Sequence, residues 1–138
     1  MIEKGQILNF NPPKLDGNFV SDKRRYMVIT NDNEKLEMIN ISSLKGKERK
    51  LMFPGNVKLY NREPFLAPSF AKVDTIYKIE YFPELEEFIS FRGQKLNEQD
   101  FNNILLERER YITKTKNVNE VNFTKEEFIS KNKEMIQV

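Results

Sequence analysis

Up to about residue 91 the apolar positions come in short runs broken by Pro, Gly and Asn, the pattern of strands and turns. Gly5-Gln6-Ile7-Leu8-Asn9-Phe10 reads as a strand stopped by Asn11-Pro12-Pro13, and a polar loop runs from Lys14 to Lys23, with Gly17 able to adopt an unusual φ. Tyr26-Met27-Val28-Ile29-Thr30 is a mostly apolar strand ended by Asn31-Asp32-Asn33. Leu36-Glu37-Met38-Ile39-Asn40-Ile41 follows closely, so the two predict a hairpin. In its outer limb Leu36 and Met38, with Asn40 in the same phase, share one face, and Ile39 and Ile41 share the other.

A basic loop, Lys45-Gly46-Lys47-Glu48-Arg49-Lys50, leads through Leu51-Met52-Phe53 to a turn at Pro54-Gly55 and a strand over 56–60. Phe70 to Ile79 is a longer strand whose apolar residues do not alternate cleanly, which predicts a bulge or two abutting strands. Phe88-Ile89-Ser90-Phe91 reads as a last short strand or the lead into the helical part. Past Gly93 the period changes. Asn97 caps a segment in which Phe101, Ile104, Leu105, Tyr111 and Ile112 recur at helical spacing. Thr113 to Asn122 reads as a polar linker. Thr124 with Glu127 then forms a capping box, with Phe123 and Phe128 as its hydrophobic staple, predicting a second helix over 124–136.

Short strands with terminal helices in 138 residues predict a single α+β domain. The expected architecture is a compact SH3-like β-barrel, a strongly bent antiparallel sheet over about 4–92, with C-terminal helices over about 97–136. A parallel α/β fold is disfavoured because helices do not alternate with the strands.

Composition narrows the chemistry. The chain has no Cys, hence no disulfide, thiolate nucleophile or Cys zinc site, and no His, hence no imidazole base or ligand. Catalysis would have to use Ser, Thr, Tyr, Lys, Arg or carboxylates, and no metal or other cofactor is expected. With 32% charged residues and a mean hydropathy of −0.66, no membrane association is expected, and a cytoplasmic location is the default. The net charge of +2 is too small to argue for a polyanion by itself, so the distribution of charge carries more weight.

Two features stand out in that distribution. Lys23-Arg24-Arg25 opens one limb of the hairpin and Ser42-Ser43-Leu44-Lys45-Gly46-Lys47 closes the other. Folding at Asn31-Asp32-Asn33 brings Arg25 near the level of Ser42 by counting, which would collect a guanidinium, two hydroxyls and an ammonium at one sheet end. Such a set suits an oxyanion or phosphate. Each half also has an ordinary reading: a solvated strand lead-in, turn hydroxyls bonding nearby backbone, a solvated loop. Phe53, Tyr60 and Phe65 could stack on unpaired bases, but core packing is the favoured reading of all three.

The order Gly5-Gln6-Ile7, a Pro-containing loop, Arg24-Arg25-Tyr26-Met27-Val28-Ile29, then Asn40-Ile41-Ser42, resembles the MazF/PemK/Kid-like endoribonuclease toxins. Ser69 to Ile79 resembles their later strand segment, and Gly93-Gln94-Lys95-Leu96 the approach to their C-terminal helix, so the likeness covers about residues 4–112. It implies a toxin of a bacterial toxin–antitoxin system that cuts single-stranded mRNA without a metal, leaving a 2′,3′-cyclic phosphate. The family's catalytic Arg and hydroxyl map to Arg25 and Ser42. Tyr26 stands where the family has Pro. Ser42-Ser43-Leu44-Lys45 is closer to the hydroxyl-hydroxyl-x-Lys pattern of the ToxN/AbiQ/CptN branch, which a repeat-derived folded RNA inhibits.

The catalytic set expected on this resemblance is Arg25 with Ser42, Ser43 and Lys45. Lys23, Arg24, Lys47, Arg49 and Lys50 would bind RNA phosphates. The expected antitoxin is RNA in preference to protein, and a homodimer or a larger RNA–protein assembly is open. The competing expectation is a non-catalytic SH3-like nucleic-acid-binding module; another is a protein-contact barrel in which Arg25 merely pairs with a carboxylate.

Overall fold

A computed structural model describes residues 1–12, 23–46, 48–61 and 63–132. Six strands form one sheet: β1 (Ile7–Phe10), β2 (Arg24–Asn31), β3 (Lys35–Ser43), β4 (Asn56–Lys58), β5 (Ser69–Glu80) and β6 (Asn119–Phe123). Two α-helices, α1 (Glu98–Thr115) and α2 (Lys125–Asn132), complete the α+β fold, with 3-10 turns over Glu48–Met52, Pro83–Phe88 and Phe91–Gly93. The loop expected over 14–23 lies outside the described residues except for Lys23, as do Lys47 and the expected continuation of the second helix past Asn132.

The β2–β3 hairpin forms as its sequence predicts. Asn31 and Asp32 side chains accept hydrogen bonds from the Asn33, Glu34 and Lys35 amides, and Asn33 takes a left-handed φ of 74° that Asn tolerates. The strand order is β1-β2-β3-β5-β4, with β6 also against β5, and no described pairing joins the two ends. Among the described residues the sheet is thus not closed, so the α+β class holds while the compact SH3-like barrel expected from the sequence is not confirmed. β5 is one strand, and its pairing with β3 slips between Met38 and Asn40, the irregularity its uneven alternation predicts. Its first half pairs with β4 and its second half with β6.

The polar linker expected over 113–122 is instead structured. α1 continues to Thr115, and β6 pairs parallel to β5, Val121 opposite Tyr77 and Phe123 opposite Ile79. A parallel neighbour needs a crossover, which α1 supplies. Phe88–Phe91 is not a strand; only Ile89 makes an isolated bridge to Leu8 between two 3-10 turns.

Both faces of the sheet are covered. Leu8, Phe10, Tyr26, Val28, Leu36, Met38 and Ile79 point to one side, under Phe82, Phe88, Phe123 and Phe128. Ile7, Met27, Ile29, Ile39, Ile41, Ala71 and Val73 point to the other, under Phe65, Leu96 and Ile104. Two-sided burial explains why these strands read as nearly continuous apolar runs. The capping box predicted for α2 forms, with reciprocal Thr124 and Glu127 hydrogen bonds of 3.0 and 3.1 Å. The staple rings of Phe123 and Phe128 stack at 6.0 Å.

Candidate functional site

The register of the hairpin decides which candidate residues meet. Arg25 lies opposite Ile41, not Ser42. The difference of one residue inverts the geometry, because successive side chains leave a strand on opposite faces. Arg25 shares its face with Ile41 and Ser43, whereas Ser42 shares the other with Asn40 and Arg24. The hydrogen bonds agree: Ser42 Oγ donates to Asn40 Oδ1 at 3.1 Å, and the Asn40 amide nitrogen donates to the Arg25 carbonyl at 3.0 Å. Ser42 thus reaches Arg25 through the Asn40 side chain and the Arg25 backbone carbonyl. The catalytic set expected from counting is split, with Arg25 and Ser43 on one side and Ser42 and Arg24 on the other.

Arg25 is half-buried and occupies the mouth of the aliphatic face. Its guanidinium carbon lies 5.2 Å from the Phe91 ring centroid and 5.8 Å from that of Phe65. The two rings meet edge-on at 5.4 Å. Among the described residues no carboxylate lies within ion-pair distance of Arg25. Stacking on ring faces holds a guanidinium by cation–π attraction while leaving its N–H edge for oxygen acceptors. The backbone that carries Phe91 is itself unusual. Phe91, Arg92 and Gly93 take successive φ values of 56°, 55° and 80°. Only the glycine does so freely; left-handed Phe and Arg cost on the order of 1–2 kcal/mol each.

No family model matches the sequence, and no curated protein matches it. The chemistry of the site must therefore be argued from its own residues.

Beyond Arg25, β3 runs out through Ser43 to Leu44 and Lys45. Ser43 pairs with Ser69, its Oγ accepts from the Lys45 amide at 3.2 Å, and the Leu44 amide bonds to the Pro68 carbonyl. The Ser43 hydroxyl thus plays the local turn role that its position suggests, and its proton is still available to donate. Leu44, Lys45, Leu51, Lys58, Leu66 and Pro68 are among the residues lining a groove of about 710 Å³. Among the described residues Glu48 is the one acid in its wall, against Lys45 and Lys58. Arg49 and Lys50 are exposed in the adjoining 3-10 turn, and Lys23 is exposed ahead of β2. Among the described residues no three carboxylates come together to hold a metal ion.

Tyr26 is a core residue. Its ring stacks on Phe10 at 4.6 Å and meets Tyr77 edge-on at 4.8 Å. Burial, reinforced by its hydrogen bond to Tyr77, pushes the hydroxyl far above the ordinary tyrosine range, so it stays protonated and out of reach of solvent. Of the three aromatics assigned by preference to the core, only Phe65 is buried; Phe53 is 59% exposed and Tyr60 79%. Sequence reading missed the ring clamp from Phe91 and the groove cation Lys58. It also missed Asp100, which lies almost fully buried at the start of α1 and receives the Tyr60 amide, the Asn61 amide and the Asn61 side chain at 2.9–3.1 Å.

Proposed function

We propose that the chain is a metal-independent endoribonuclease acting on single-stranded RNA, the toxin of a bacterial toxin–antitoxin pair built on an opened version of an SH3-like barrel. The observation that carries the reading is Arg25: a half-buried cation without a described carboxylate partner, held over two rings beside a hydroxyl and a lysine-lined groove. A purely structural arginine in that setting would be expected to pair with an acid, and among the described residues Arg25 has no such partner.

In the proposed reaction the 2′-oxygen of one nucleotide attacks the adjacent phosphorus and the P–O5′ bond breaks. The products are a 2′,3′-cyclic phosphate and a 5′-hydroxyl, and no water is consumed. Arg25 binds the non-bridging oxygens, where charge accumulates in the phosphorane, and its planar fork suits them. Ser43, on the same face, hydrogen-bonds the phosphate or the attacking hydroxyl, whose proton passes to solvent, and the Lys45 ammonium delivers a proton to the departing 5′-oxygen and regains one from solvent. Ser42 takes a different part from the one its sequence position suggested: by orienting Asn40 it fixes the Arg25 backbone, which makes it a positioning residue. Lys23, Arg49 and Lys50 add phosphate contacts from solvent. Arg24 leaves β2 on the opposite face and is not assigned to this site. The Ser-Ser-Leu-Lys segment and the basic groove favour an RNA antitoxin over a protein one, and the working location is the cytoplasm.

The test is cleavage of an end-labelled single-stranded RNA by the purified chain in EDTA. The expected products end in a 2′,3′-cyclic phosphate, and a 2′-deoxy substitution at the cut position blocks the cut. Binding without cleavage under all conditions would instead support the non-catalytic nucleic-acid-binding module.

A further inference from the structure

Large apolar side chains on or close in sequence to the groove beside Lys45 are left in solvent by the fold. Phe53 follows the 3-10 turn that supplies Leu51 to the groove, and Tyr60 lies two residues past the groove residue Lys58. Leu66, on the groove wall, is 84% exposed, and Met52 is 82% exposed. Singly exposed apolar residues are ordinary, but Met52, Phe53, Tyr60 and Leu66 together, on or close in sequence to a basic groove, suit a contact surface.

Their backbones, by contrast, are fixed. The Tyr60 amide is bonded to the buried Asp100 carboxylate at 3.0 Å, and the same carboxylate takes two further hydrogen bonds from Asn61. Phe53 sits in a turn closed by its own amide to the Lys50 carbonyl and by the Asn56 amide to the Phe53 carbonyl. The Asn56 side chain bonds to Lys50 as well. A buried carboxylate spent on holding the base of an exposed tyrosine is the arrangement of a pre-organised contact.

We infer that Phe53 and Tyr60 form a stacking platform for the unpaired bases of a single-stranded polynucleotide whose phosphates run along Lys45 and Lys58. Charge complementarity selects this occupant: Lys45 and Lys58 line the groove and Arg49 and Lys50 are exposed in the adjoining turn, against Glu48 as the one acid in its described wall. A base offers an apolar face and a phosphate in each repeat, which matches rings alternating with cations. The inference rests on the reading of this end of the sheet as the RNA-handling site, but it needs no bond to be cut.

The test uses a fluorescent 2′-O-methyl oligoribonucleotide, which cannot be cleaved through its 2′-oxygen. Phe53→Ala and Tyr60→Ala should each weaken its binding about tenfold, the effect of losing one stacked base. Tyr60→Phe should restore binding to within about twofold, because the ring face and not the hydroxyl makes the contact. Binding of heparin, a polyanion without bases, should be the same in all variants, and a duplex of the same sequence should bind the wild type less well than the single strand. The inference is overturned if the alanine variants bind the oligonucleotide like wild type. It is also overturned if they lose heparin in equal measure, or if Tyr60→Ala changes only the oligomeric state, the mark of a second copy seated there. Wild-type binding without any RNA cleavage would remove the ribonuclease proposal and leave the platform standing. Cleavage with unaltered binding by the alanine variants would do the reverse.

Discussion

The two faces of the sheet use similar side chains to opposite ends. On the α2 side Phe10, Tyr26, Phe82, Phe88, Phe123 and Phe128 close into a dry aromatic cluster, with Phe128 in ring contact with four of the others. On the α1 side the core is mostly aliphatic, and its two rings nearest the mouth, Phe65 and Phe91, are turned upon Arg25. One face buries its aromatics to hold the fold together. The other places them against a cation, Arg25. Composition cannot separate these uses, because a phenylalanine in a core and a phenylalanine under a guanidinium read alike.

The two faces should therefore respond differently to substitution. The largest effect is expected from Phe128→Ala, which empties the centre of the aromatic cluster and should cost about 3–5 kcal/mol of stability. Urea unfolding measures it, and RNA cleavage per folded molecule should be little altered. Asp100→Ala is next. It strips the acceptor from two backbone amides and the Asn61 side chain, and should cost about 2–3 kcal/mol. Unlike Phe128→Ala, it should also weaken oligonucleotide binding, because the Tyr60 segment loses its anchor. The smallest effect is a gain. Arg92→Gly relieves a left-handed residue beside Phe91 and should stabilise the chain by about 0.5–1 kcal/mol, read as a rise in Tm. A loss of stability there would mean that Arg92 makes a contact that outweighs its backbone strain.

Much of this fold is legible in the sequence because its signals are local. The Asn31–Asn33 turn, the alternation of Leu36 and Met38 with Ile39 and Ile41, the Asn97 cap and the Thr124–Glu127 box each lie within a few residues and recur in the structure. β6 was missed although Val121 and Phe123 alternate, because three polar neighbours, Asn119, Glu120 and Asn122, outweigh them and the partner strand is some 40 residues away. Sheet closure is a long-range property that strand counting does not fix.

The candidate site was legible in its parts but not in its geometry. Arg25, Ser43 and Lys45 share one end of the sheet as the hairpin implies. Counting places Arg25 near Ser42, but the register sets it opposite Ile41, and with a period of two that single step carries Ser42 to the other face. Phe91 lay beyond reach of local pattern, since its contact with Arg25 depends on a left-handed turn 66 residues further along the chain. Phe53 and Tyr60 failed the usual expectation for aromatics because burial is a property of the finished fold.

Arg24 and Arg25 offer the most direct measurement, being adjacent guanidiniums on opposite faces. The account predicts that Arg25→Ala lowers the single-turnover cleavage rate of RNA by at least about 10²-fold, the cost of one lost charge-stabilising donor. Arg24→Ala should lower it by less than about tenfold, through weaker electrostatic attraction alone. Cleavage by Arg25→Ala at close to the wild-type rate, or a larger loss from Arg24→Ala than from Arg25→Ala, would contradict the placement of the reactive site on the Arg25 face.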